Sequence, residues 1–518
     1  MNRSRLILVI LIVCLVFSLF NFLWGTLPEL NSNQELVLGE GFLWMETEVF
    51  LSETPLYQPI SSTELLVVPH TPLYIIVTSF FTNLTGNTLF AGRLVSILAG
   101  IGLCLISFLI GRKLSGSSYI GIVAGLLVVS TYVFKFLTPI YRMDTLGVMF
   151  SFLGLYFVIK SEGRGKWLYL SILAFLAAIF TKQFYISGPI AVFLYLWFRS
   201  EGSFKESFKY GLAFLGSLLG GLVIAGFLTG WELIYHNFIY LVMGSAFGWP
   251  AFVGHLRKLF FYHMPLFIGC LGYLVTKFLR LKLSLQLGPL SWYLLLTSVV
   301  VLLTIGKVGS SFHYGFEIVV CLCIIGSLLL QKGLEIFETK EIGLSRVLLG
   351  SIIPTLVILQ IVGLPLGHGF LTYEYQTGSE VESKKVVDYI SEMEGPIFTD
   401  VHGLVMASSS RKDWDRWEPA ILYRGNFQER EGKLGWDQSV ILDRLESGYY
   451  SSIIVCYDII KTWSGQLGNK YLTWVYQEKT TPEIARAMLN NYTFKERTSH
   501  LGSNMCPYRV YIYEYNDK

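Results

Sequence analysis

Charge is what this chain has least of. Asp, Glu, Lys and Arg together make up 15% of its 518 residues, against 53% hydrophobic residues and a mean hydropathy of +0.53. A soluble globular chain carries about 25% charged residues, so that class is excluded. The formal net charge is only +3, and the cations are scattered rather than gathered in one patch, so no nucleic-acid partner is expected. Cysteine is sparse as well. Of seven, five (Cys14, Cys104, Cys270, Cys321 and Cys323) fall in apolar runs and read as core residues. Cys456 and Cys506 remain, and a disulfide between them is open outside the cytoplasm. A small-residue cleavage pattern is missing after the apolar run from Leu6 to Trp24, although Arg3 and Arg5 precede it, so an uncleaved first helix is expected.

What the chain does have is long apolar runs, each able to cross about 30 Å of hydrocarbon. The spans are expected at about 6–25, 92–111, 118–137, 145–160, 167–180, 184–198, 210–228, 259–276, 290–306, 314–331 and 344–364, eleven in all. Arg3, Arg112, Lys113, Lys160, Arg164, Lys166, Arg199, Lys205, Lys209, Lys277, Arg280, Lys282, Lys332 and Lys340 then all share the side of the N-terminus. Positive residues favour the cytoplasmic side, which sets the orientation. Arg93, Arg257 and Lys258 fall at the other face.

The stretch 69–82 is apolar but short, and counting it as a span would spoil this charge pattern. Together with 30–54 it is expected to form helices at the outer interface, the alternative being a plain loop. After residue 365 the composition turns to charges, turns and short alternating segments. Strands are expected at 396–408, 450–460, 471–476 and 509–515, with a helix from Asp437 to Leu445. The expected organisation is a polytopic α-helical membrane domain over 1–366 and an external α/β domain over 367–518, in the plasma or inner membrane.

Span parity gathers the polar residues at one face. Glu40 lies between Gly39 and Gly41, where the glycines allow close approach of the backbone. Arg142 and Asp144 sit at a span end. Two residues apart, they need not pair; as a pair of functions they would hold an anion and orient the group that holds it. Lys182, in Thr181-Lys182-Gln183, is a cation on the unexpected side, suited to an anion or to snorkelling. Lys307 to Glu317 enters the tenth span with Gly309, Ser310 and Ser311 offering backbone N–H groups to phosphate oxygens. His313 can donate to phosphate, and Glu317 needs a partner within the span, Lys307 being one candidate. Asp400 and His402 form a weaker loop candidate. Cations at the lipid level suggest an anionic lipid head group, and carboxylates suggest a general base or a metal ligand.

The ordered set of motifs resembles the polytopic GT-C glycosyltransferases, in particular the RgtA/B/C/D-like group related to protein O-mannosyltransferases and lipid A aminoarabinose transferases. The residues that carry the likeness are Gly39-Glu40-Gly41, Pro55-Leu56-Tyr57, His70-Thr71-Pro72-Leu73-Tyr74, Arg142-Met143-Asp144, Thr181-Lys182-Gln183 and Gly309 to Glu317. Gly39 stands where the family has its usual aspartate, and His313 where asparagine is common. The resemblance covers about residues 1–365 and implies a GT-C fold. It also implies transfer of a sugar from a polyprenyl-phosphate donor to an envelope glycan, lipid or protein acceptor at the outer face, with inversion.

Glu40 and Asp144 are then the expected catalytic residues, with Glu35 the alternative to Glu40. Arg142, Lys182, His70, Lys307, His313 and Tyr314 are the expected substrate contacts. The one cofactor in view is a divalent cation, Mg or Mn, with Glu40 as a ligand. The competing readings are a transporter or flippase for lipid-linked sugars, and a ligase or polymerase resembling those of O-antigen. A flippase favours mid-span polar residues and repeats, neither of which is evident.

Overall fold

A computed structural model describes residues 3–33, 35–52, 54–59, 68–199, 204–240, 247–278, 288–307, 310–338, 354–361, 377–393, 396–399, 417–419, 439–456, 458–463, 482–498 and 510–516. The chain begins with α1 (Arg3–Leu30), whose apolar side chains Val13, Phe17 and Phe20 are exposed, as befits a helix turned to lipid. Two short helices follow, α2 (Leu38–Leu51) and α3 (Leu73–Thr85). At 14 and 13 residues they reach only about 20 Å, too short to cross alone. They fall in the stretches expected to form interfacial helices; α2 begins later and ends earlier than 30–54, and α3 lies three to four residues later than 69–82. The gap between them at residues 60–67 lies outside the described residues.

The core is built on α4 (Thr88–Ser115), α5 (Ser118–Val129), α6 (Tyr132–Leu137), α7 (Asp144–Ser161), α8 (Gly165–Thr181), α9 (Ser187–Phe198) and α10 (Phe204–Leu228). It continues through α11 (Trp249–Tyr262), α12 (Met264–Phe278), α13 (Pro289–Thr304) and α14 (Phe316–Glu338). Among the described residues five helices are long and apolar enough to cross a membrane, and five shorter apolar helices accompany them. This is a largely helical, multi-pass membrane protein with a small external sheet domain.

Two expected spans are broken. The run 118–137 divides at Ser130 and Thr131, whose hydroxyls bond back to Leu127 O and Val128 O at 2.7 Å each. Such bonds compete with the helical ladder and let the chain turn into α6. The run 259–276 divides at His263, whose backbone (φ −125, ψ 19) leaves the helical region just before Pro265. Of the expected span 344–364, only 354–361 is described, and it is helical.

Close helix packing relies on small residues. Gly121 and Gly125 of α5 bring its backbone within van der Waals reach of Phe108 and Cys104 of α4. At one end of the bundle the basic turns meet. Lys113 pairs with Glu162 at 3.2 Å, Arg199 donates to Glu162 O at 2.9 Å, and Gln331 donates to Ser115 O at 3.3 Å. The turns after α4, α7, α9 and the end of α14, grouped on one side by the charge count, are therefore neighbours in space.

The external domain has a five-stranded sheet in the order β2-β1-β3-β5-β4, where β1 is Ile397–Thr399, β2 Trp417–Pro419, β3 Ser452–Val455, β4 Tyr492–Arg497 and β5 Tyr511–Tyr515. β1 runs parallel to β2 and β3, while β5 is antiparallel to β3 and β4. The helices α15 (Thr377–Glu392), α16 (Ser439–Glu446) and α18 (Pro482–Asn491), with the short α17 (Ile459–Trp463), complete it. Val386, Ile390, Ile453, Ile484 and Ile512 form its core, which is continuous with Met45, Val49 and Tyr57 of the first external loop. Cys456 is buried, while Cys506, Asp400, His402 and the strand expected at 471–476 lie outside the described residues.

Candidate functional site

The end of the bundle opposite the basic turns holds the site. Asp144 opens α7 and is buried. Its Oδ1 accepts from Lys182 Nζ at 2.6 Å and its Oδ2 from Arg142 Nε at 3.1 Å. His313 Nε2 lies 3.8 Å from the same carboxylate and 3.5 Å from Arg142 Nη2. Lys182 stands 4.8 Å over the Tyr314 ring, and the Tyr185 hydroxyl donates to Asp144 O at 3.1 Å. Four of the expected site residues, Arg142, Lys182, His313 and Tyr314, thus surround a fifth, Asp144. Arg142 and Asp144 do pair, which their spacing alone did not require. Burial works against the Arg142 charge, but the Asp144 carboxylate and its hydrogen bond offset this and hold the guanidinium above its ordinary value.

Glu40 lies beside this cluster but is committed elsewhere. It is fully buried and bonded to Arg93 of α4, Oε1 taking Nε at 3.0 Å and Oε2 taking Nη2 at 2.9 Å. It also accepts the backbone N–H groups of Leu36 (2.5 Å) and Tyr141 (2.6 Å). Four donors saturate the acceptor capacity of a carboxylate. Arg93 Nη1 in turn donates to Glu29 O and Ser32 O at 2.7 and 2.6 Å, tying the end of α1 to α2 and α4. Arg93 had read as a cation on the wrong side of the membrane; its charge is neutralised by burial against Glu40. Glu35 accepts from Gly41 N at 3.1 Å and belongs to the same loop scaffold.

Gly39 has a specific neighbour. A Cβ there would lie 2.7 Å from Arg142 Nη1, so the missing side chain leaves room for the guanidinium. The place of the family's usual aspartate therefore faces Arg142.

His70 pairs through Nδ1 with the buried Glu46 at 3.3 Å and is itself about a quarter exposed. Its segment is pinned next to Lys182, since Gln183 donates to Pro69 O at 3.0 Å and Thr71 to Ile179 O at 2.9 Å. His236 supports the other side, accepting from Val68 N at 3.1 Å and donating to Gln58 O at 2.7 Å. Burial pushes its imidazole down to about 4.

Lys307 is not drawn into the cluster. Its backbone bridges Phe247, and among the described residues its side chain forms no ion pair. The partner of Glu317 is the Tyr293 hydroxyl and not Lys307, so that expectation is corrected: the short β-bridge directs residue 307 away from the helix that carries Glu317. Gly309 lies outside the described residues. Sequence reasoning missed Arg93, Glu46 and Tyr185, and the one signal available was Arg93's breach of the charge rule. A divalent cation would have to displace Arg93 from Glu40, or Arg142 and Lys182 from Asp144, so these carboxylates as placed do not fit one.

Comparison with solved structures decides the fold. The structure of ArnT from Cupriavidus metallidurans bound to undecaprenyl phosphate aligns with a TM-score of 0.57 at 13% identity, covering 96% of this chain and 97% of that one. The chain shares the fold of that protein. The oligosaccharyltransferase of Archaeoglobus fulgidus in its apo form aligns with a TM-score of 0.52 at 10% identity, over 100% of this chain and 74% of that one. The same organism's AglB, in complex with an inhibitory peptide and a dolichol-phosphate, aligns at 0.50 and 11% identity, over 97% and 74%. Residues 69–228 match the family model described as dolichyl-phosphate-mannose-protein mannosyltransferase. No curated protein sequence matches the chain. The matched residues hold Arg93, Arg142, Asp144 and Lys182, so the likeness in sequence falls on the helices that build the cluster.

Proposed function

We propose that this protein moves a sugar from a polyprenyl-phosphate-linked donor to an acceptor at the outer membrane face, with inversion. The observation that carries this reading is the convergence of Arg142, Lys182 and His313 on Asp144 at one end of the bundle. Two fixed cations held by one carboxylate form a preorganised seat for a phosphate that gains charge as it leaves. The solved relatives with undecaprenyl phosphate and dolichol-phosphate support a lipid-linked phosphate as the anion. The external domain and the site face outward, with the basic turns in the cytoplasm.

In the proposed step the acceptor hydroxyl oxygen forms a bond to the anomeric carbon from the side opposite the phosphate. The bond from that carbon to the phosphate oxygen breaks, and its electron pair leaves with the phosphate onto Arg142 and Lys182. The acceptor proton must go to a base. Asp144 is tied to two cations and Glu40 to four donors, so Asp144 organises the cations and Glu40 works by position, setting Tyr141 and hence Arg142. His70, oriented by Glu46, takes the proton on Nε2. Tyr314 borders the seat, its ring under the Lys182 ammonium.

The test is turnover of radiolabelled polyprenyl-phosphate sugars by purified protein in nanodiscs. Lys182→Ala and Asp144→Asn should lower donor turnover roughly 10- to 100-fold, the range for losing a charged hydrogen bond. Turnover by Asp144→Asn equal to wild type would overturn the assignment of the site.

A further inference from the structure

The external domain carries a cleft of about 620 Å³, remote in sequence from the membrane site and lined by Tyr389, Glu392, Gly448, Ser452, Glu514 and Tyr515. It opens where α15 ends over the paired residues Ser452 of β3 and Glu514 of β5. Tyr389 donates to Glu514 Oε1 at 2.7 Å, Lys495 bonds the same oxygen, and the Lys495 ammonium stands 4.7 Å over the Tyr389 ring. Both bonds fall on Oε1, which among the described residues leaves Oε2 as an acceptor. Glu392 is exposed at the rim. Gly448 turns with φ +72, and a Cβ there would overlap the Tyr515 ring, so the glycine is what allows that ring to lie against the turn. Tyr515 is held edge-to-face by Tyr492, with centroids 5.4 Å apart.

The chemistry narrows the ligand. Two carboxylates, of which Glu392 has no cation beside it among the described residues, disfavour an anion. The cleft lies over β3 and β5, which are interior to the sheet, so no strand edge is open for a peptide to pair with. What remains is a ring face for an apolar patch, with carboxylate and hydroxyl acceptors around it for a ligand rich in hydroxyl donors.

From this we infer that the cleft is a saccharide-binding site, one that engages an acceptor glycan away from the membrane. Only the choice of an acceptor glycan rests on the glycosyl-transfer reading; the cleft and its chemistry stand without it.

The experiment is a glycan array printed with mannose-, glucose-, galactose- and hexosamine-containing oligosaccharides, with a random peptide set on the same surface. The full-length protein is probed in detergent. Wild type should bind at least one saccharide class. Tyr515→Ala and Glu392→Gln should each weaken that binding about tenfold or more, in line with loss of a ring contact or a charged hydrogen bond. Glu392 is exposed, so its variant tests the site without disturbing the core. Asp144→Asn should lose donor turnover yet bind the array like wild type, which separates failure of the cleft from failure of the transfer reading. Saccharide binding equal in wild type and both cleft variants, binding to peptides alone, or no binding at all would overturn the inference.

Discussion

Replacing Arg93 by methionine should unfold the outer end of this protein. Arg93 is completely buried and makes recorded bonds to the Glu40 carboxylate and to the carbonyls of Glu29 and Ser32. Removing it leaves Glu40 with two backbone donors and no cation. It also leaves the buried Glu29 carboxylate, which has no hydrogen-bond partner among the described residues, without the nearest positive charge. Breaking a buried pair by removing one partner costs about 3–5 kcal/mol. Scaled from domains of 150–250 residues, that is a fall of roughly 10 °C in the unfolding midpoint. The assay is thermal unfolding of detergent-solubilised protein by size-exclusion and intrinsic fluorescence. The double variant Arg93→Met with Glu40→Gln should recover more than half of the loss, because the uncompensated charge is gone and the glutamine oxygen still accepts a backbone N–H. An Arg93→Met protein that unfolds with wild type, or a double variant no better than the sum of the singles, would refute the clamp. Glu40→Gln alone should lower stability and leave kcat per folded molecule within about tenfold of wild type. A hundredfold fall in kcat at unchanged stability would instead make Glu40 the base.

Three further outcomes follow from the geometry. Gly39→Asp should bring a carboxylate onto Arg142 and raise the KM for donor about tenfold, since one charged hydrogen bond is diverted from the phosphate; a rise in kcat would instead give that position the base role. His70→Gln should lower kcat about a hundredfold at unchanged KM for the donor, and Glu46→Gln should lower it less, whereas an unchanged kcat in His70→Gln would remove His70 from the chemistry. His236 is buried as the neutral form, with its pKa depressed to about 4 from an ordinary value of 6.5. Its contribution, about 3 kcal/mol at most, is therefore present above pH 6.5 and lost as pH falls through 4. Hydrogen exchange at Val68 N–H should accelerate over that window in wild type and show no such step in His236→Gln.

Much of the fold is legible in the apolar runs because lipid leaves the backbone no alternative to helix. The breaks at Ser130–Thr131 and His263 were not legible, since hydropathy does not register a hydroxyl that bonds its own helix. In the external domain the strands at 397–399, 452–455 and 511–515 sit within the stretches expected from alternation. β4 was missed because all its residues after Tyr492 are exposed, so it has no buried face to write a period of two into the sequence. Arg142, Lys182 and His313 were singled out as cations or donors between spans, but nothing local joined them. Arg142 meets Asp144 two residues away, but Lys182 lies 38 residues from that aspartate and His313 171 residues from Arg142.

The sequence by itself determined that the chain is a largely helical membrane protein and which polar residues crowd one end. These follow from composition and charge asymmetry, which act residue by residue. The tertiary structure decided what those residues do. It joined Glu40 to Arg93, turned the bare Cα of Gly39 toward Arg142, and gathered Arg142, Lys182 and His313 around Asp144. Pairing of buried charges is a property of distance in three dimensions, and at low dielectric only the fold says which opposite charge is within reach.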